Sequence, residues 1–167
     1  MTSIERSFRT ARRLNRNAHT ATGTALNGGE MLHASGQVIA ARMDILARGM
    51  ADPMRADLTE VALMGSEKVE ALTASAAATG HALTEIGAAL GRDAFNEAAV
   101  ASRALAKLSA AKTPVEAARV QMTWALGWWG RAASQALTAN TRLLKAQADA
   151  LAPLHRAAVA NAKRLKR

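Results

Sequence analysis

The stretch from Thr113 to Leu154 constrains this chain more than any other part of it. Thr113 is an N-cap residue, Pro114 suits the first helical position and Glu116 the third. Together they serve amide donors that a helix start would otherwise leave without partners. Almost no breaker follows until Pro153, which predicts one helix over about 114–152. The final basic segment, about 153–165, is expected as a separate short helix, because proline suits a first turn and not a helix interior.

Alanine-rich composition points the same way. Half of the residues are apolar but only 3% are aromatic. A chain so poor in bulky side chains packs helices through thin alanine seams, because alanine has the highest helix propensity and lets helices approach closely. With three prolines and no β-branched runs, the fold is expected to be all-α. An elongated antiparallel bundle with coiled-coil character is the predicted architecture.

Earlier segments follow from period and punctuation. Residues 1–27 form a basic segment, either an amphipathic helix or partly disordered, with Arg6, Arg9, Arg13 and Arg16 at helical spacing. Gly23, Gly28 and Gly29 separate it from a helix over about 30–51, which stops before Asp52-Pro53. Asp57 and Glu60 then offer a capping-box start for a helix over about 58–90. Its predicted seam, spaced alternately four and three, includes Leu58, Val69, Leu72, Leu83, Ile86 and Leu90. Gly80, Gly87 and Gly91 weaken its last turns, and a further helix is expected over about 92–110. These helices make up a domain over 28–167.

On the helix that begins at Pro114, the predicted seam contains Met122, Trp129 and Leu143. Trp129 is therefore expected in the core, where large aromatics mostly reside. Trp124 and Trp128 fall off that seam, and Leu126 lies on its other edge. An indole tolerates an apolar boundary with water, so Trp124, Trp128 and Leu126 are the candidates for contact with a hydrophobic surface.

Charge is distributed unevenly along a chain of net charge +9. Residues 1–25 carry five basic residues and one acidic, and residues 153–167 carry five basic and none acidic. Residues 26–90 reverse the sign, with four basic against eight acidic. The basic ends, including Lys163, Arg164 and Lys166, are candidates for an anionic partner such as lipid or nucleic acid.

No catalytic constellation is visible. The four histidines lie in different segments and do not cluster, cysteine is absent, and Ser66 and Ser75 have no base placed to activate them. Neither a cofactor nor a metal is expected, and an enzyme is not. The start lacks the apolar core of a secretory signal, and no uncharged segment approaches the ~20 residues of a membrane span. A cytoplasmic location is the expectation.

The C-terminal part resembles the phasins, small amphipathic proteins that coat bacterial polyhydroxyalkanoate granules. The likeness is carried by Thr113-Pro114-Val115-Glu116, by Gln121, and by Ala152-Pro153-Leu154 after a long alanine-rich helix. Asp52-Pro53, Glu60, Met64 and the run Glu67-Lys68-Val69-Glu70-Ala71 also look similar, so the likeness covers about residues 30–165. It departs at Trp124, where the family favours Tyr or Phe, and at the Trp128-Trp129 pair. The resemblance implies a non-catalytic coat on the polyester surface that controls granule size and dispersion. It also implies self-association into a homo-oligomer and companions such as a polyester synthase. The alternatives are a basic helical binder of anionic lipid or nucleic acid, or a structural coiled-coil oligomer.

Overall fold

The computed structural model describes residues 3–55 and 57–166, without the side chains of Ser3, Ile4, Arg6, Arg55 and Val61. Three long helices account for nearly all of them: α1 (Ser3–Ala51), α2 (Leu58–Ser109) and α3 (Pro114–Arg164), with a short 3-10 turn at Pro53–Arg55. No strand occurs among the described residues. The all-α expectation holds.

Helix starts are built as the capping patterns require. The Glu60 amide donates to Asp57 Oδ1 at 2.9 Å, and the Glu116 amide donates to Thr113 Oγ1 at 3.2 Å. The Glu116 carboxylate reaches back to accept from the Lys112 amide at 3.1 Å. Between α1 and α2, Asp52 Oδ1 accepts from the Met54 amide and holds the short turn.

Helix limits differ from expectation in three places. α1 passes through Gly23, Gly28 and Gly29 without a break, so the basic first segment is helical from Ser3. Each interior glycine costs up to ~1 kcal/mol against alanine. At Gly28 a Cβ would stand 4.0 Å from Leu151 Cδ2 of α3, an ordinary contact, so nothing there requires glycine. α2 likewise continues through Gly87 and Gly91, where buried Ala89 and half-buried Asp93 keep one face turned inward.

α3 also runs on through Pro153. Proline has no N–H, so the Asp149 carbonyl loses its usual intrahelical donor. The next carbonyl, Ala150 O, accepts from Ser75 Oγ of α2 at 2.8 Å. A tertiary hydrogen bond therefore ties the helix down where its own ladder is weakest.

Contacts divide the chain into two units, Met1–His81 with Leu144–Arg167, and Ala82–Leu143. In the first unit α1, the start of α2 and the end of α3 pack as three helices. α2 runs antiparallel to both others, since Arg42 and Arg164 meet Glu67 while Ala150 meets Ser75. Its apolar centre is Ala34, Val38 and Ala162, with Ala158, Val159 and Leu165 packed against them. The second unit is an antiparallel hairpin of the rest of α2 and the start of α3, joined by the turn at 110–113.

The buried faces are not the predicted seams. On α2 the inward stripe is Glu60, Glu67, Ala71 and Ser75, continued in the second unit by Ala82, Ala89 and Asp93. Leu58, Val69, Leu72, Leu83 and Leu90 are exposed, and Ile86 is half-buried. On α3, Met122, Trp129 and Leu143 are exposed as well. Periodicity supplies a repeat but no phase. Two stripes with the same spacing run along α2, and adjacent residues such as Ala71 and Leu72 differ by about 100° around the axis. The alanine stripe was taken inward because small side chains allow the close approach that ties Glu60 and Glu67 to their arginines.

Candidate functional site

Helical spacing places large apolar side chains on the outside of both units. In the first unit α1 presents Leu32, Ile39, Met43, Leu46 and Met50, and α2 presents Val69 and Leu72, all exposed. In the second unit α3 turns Val120, Trp124 and Arg131 toward α2. Val115, Met122, Leu126 and Trp129, roughly half a turn away, face outward and are exposed.

The tryptophans divide differently from expectation. Trp129, expected in the core, is 68% exposed. Trp124, expected at a surface, is half-buried, and its ring lines a groove between α2 and α3. Its Nε1 is buried without an acceptor. Trp128 lies at the edge, 38% exposed, with its ring edge-to-face against Trp129 at a centroid distance of 4.9 Å. The outward aromatic surface is therefore the Trp128–Trp129 pair beside Leu126. One signal for this was in the sequence: Trp124 stands four residues from Val120 and seven from Arg131, the two that flank it on the inward face.

Basic side chains at the two ends do not behave alike. Arg9, Arg13 and Arg16 on α1 and Lys163 and Lys166 near the other end are exposed. The Arg6 side chain lies outside the described residues. Arg164, expected as a contact for an anionic partner, instead turns into an ionic clasp.

That clasp joins all three helices of the first unit. Glu60 and Glu67 sit two turns apart on the inward face of α2, and Glu60 is only 4% exposed. Arg164 of α3 donates to both oxygens of Glu60 and, at 2.8 Å, to Glu67 Oε1. Arg42 of α1 donates to Glu67 Oε2 at 2.8 Å, and its Nε lies 3.5 Å from Glu60 Oε1. Two cations thus meet two anions, which is what a sheltered carboxylate pair requires. Hydrogen bonding to Glu60 raises the Arg164 pKa above its ordinary value, so this guanidinium stays charged. A lone Glu60–Glu67 spacing of seven gave the signal on α2, but neither arginine partner was legible.

The second unit carries a simpler pair. Arg131 binds Glu97 through two bonds of 2.7 and 2.8 Å. These bonds hold the Glu97 carboxyl below its usual range and raise Arg131. Gly127 makes room for the guanidinium, since a Cβ there would stand 2.8 Å from Arg131 Nη1.

The histidines are used singly. His155 Nε2 contacts Glu30 Oε2 at 2.7 Å, and His33 contacts Gln37 Nε2 at 2.7 Å. Among the described residues no three His, Asp or Glu side chains gather where a metal could be held. No helix among them is long and apolar enough to cross a membrane. No protein-family model, curated protein or solved structure matches this chain.

Proposed function

We propose that this protein is a non-catalytic coat that adsorbs to an apolar polymer surface, in the manner the phasin resemblance implies for polyhydroxyalkanoate granules. One observation carries the reading: among the described residues the buried apolar ones are alanines and one valine, while Ile39, Met43, Leu72, Met122, Leu126 and Trp129 face outward. Helices that keep their large apolar side chains outside can lay them on a hydrophobic phase without unfolding. At about 25 cal/mol per Å² of apolar area, a few hundred Å² of contact gives several kcal/mol toward adsorption. Exposed cations such as Arg9, Arg16 and Lys163 then face water and give coated particles like charge. Any outward surface left uncovered suits a second copy of the chain, in keeping with the expected homo-oligomer.

Flotation with polyester granules or an oil emulsion tests the proposal. The full chain is expected to float while a globular control of similar mass stays in solution. Combined Met122→Gln, Leu126→Gln and Trp129→Gln substitutions should lower the bound fraction with helicity unchanged. A chain that stays in solution like the control refutes the coat reading.

A further inference from the structure

In the second unit, α2 and α3 enclose an open groove of about 380 Å³, a size typical of small-ligand sites. Its floor is apolar, formed by Val100 and Ala104 of α2 with Val120 and the Trp124 ring of α3. Arg103, Lys107 and Arg119 also line it, and all three are exposed. None of the three has an ion-pair partner among the described residues. Arg131 lines the groove too but is already neutralised by Glu97. Over residues 97–131 there are five basic side chains and two acidic ones, and the Glu116 carboxylate is engaged by the Lys112 amide. The groove therefore combines an apolar bed with uncompensated positive charge at its mouth.

We infer that this groove binds an amphipathic monoanion, an alkyl-chain carboxylate, with its chain on the Val100–Ala104–Val120–Trp124 floor and its carboxylate among Arg103, Lys107 and Arg119. Such a ligand satisfies both halves of the site. A nucleotide does not, because its base and sugar would set unpaired polar groups against an apolar floor. A neutral lipid does not, because it leaves three cations unused. The inference goes beyond the coat reading and does not depend on it, since binding here requires no polymer surface.

Decanoate and decanol, both kept below aggregation, are the probes. In a full chain carrying Trp128→Phe and Trp129→Phe, Trp124 is the sole indole and its fluorescence reports on the groove. Titration calorimetry on the unmodified chain runs in parallel. Saturable binding of decanoate at about one per chain is expected, weakened by added salt, with decanol bound more weakly. Combined Arg103→Gln, Lys107→Gln and Arg119→Gln should weaken decanoate roughly tenfold or more and leave decanol unchanged, since each partly exposed charge is worth a factor of about 1.5–5. Ala104→Phe should fill the floor and abolish both. The inference is overturned if decanoate does not saturate, if decanol binds as tightly, or if the triple variant keeps its affinity. Should a variant lose helicity, the salt and decanol comparisons on the unmodified chain decide the matter.

Discussion

The first unit surrounds its inward charges with three helices, whereas in the second Arg131 of α3 holds Glu97 of α2 through a bidentate pair. Glu60 is sheltered because α1, α2 and α3 all reach it, and each of its neighbours in the clasp is itself paired. Glu97 and Arg131 stay partly exposed, so water shares in their stabilisation. The difference teaches where charge is structural in this protein. A carboxylate enclosed by three helices must keep its partners, while one in a hairpin can lose them with less effect.

Glu60→Ala should break this comparison most sharply. It leaves Arg42 and Arg164 competing for Glu67, and a loss of about 3 kcal/mol is expected, toward the low end for a buried pair because Arg164 is partly exposed. Urea unfolding of the full chain measures it, and Glu97→Ala should shift the midpoint much less. Equal shifts would mean that the two units handle charge alike.

Next in size is Ala34→Leu, which forces extra volume into the thin seam and should cost about 1–3 kcal/mol. Leu72→Ala, one face away, should change stability by only about 0.5 kcal/mol. Thermal melts compare the two, and a larger cost for Leu72 would return the core to the predicted seam. Ser75→Ala should cost about 1 kcal/mol and speed amide exchange around Ala150–Leu154, where the proline interrupts the ladder. Unchanged exchange there would remove Ser75 from its bracing role.

Smaller still is Trp129→Gln, expected to alter stability by no more than about 0.5 kcal/mol, whereas Trp124→Gln should destabilise the hairpin visibly in the same melt. The smallest effect is a pH dependence in the second unit. The folded Glu97 pKa lies below its ordinary value because of Arg131. Its stabilising contribution is therefore complete above the unfolded carboxylate pKa and fades as pH falls through the lower folded value. Carbon-13 NMR of the Glu97 carboxyl during acid titration should show the depressed midpoint, and Arg131→Gln should return it to the ordinary range.

Much of the fold was legible, but unevenly. Asp57 with Glu60 and Thr113 with Glu116 marked two helix starts within a residue, because capping is local chemistry between neighbours. Gly28, Gly91 and Pro153 misled, since each weakens a helix locally without ending it. For Pro153 the decisive partner is Ser75, 75 positions from the carbonyl it braces. The candidate surface was legible in composition and not in orientation. Trp128 and Leu126 are exposed as expected, while Trp124 and Trp129 exchange places.

By itself the sequence determined that the chain would be helical, where α2 and α3 begin, and that any core would be thin. These follow from propensity, capping and side-chain volume, all of which act within a few residues. Which stripe of each helix faces inward was decided only by the tertiary structure. Leu and Ala stripes repeat with the same spacing on α2, and hydrophobicity alone favours the larger side chains. Close helix approach through Ala34, Ala71 and Ala162, and the pairing of Glu60 and Glu67 with arginines on two other helices, turned the small stripe inward. That choice left the large apolar side chains outside.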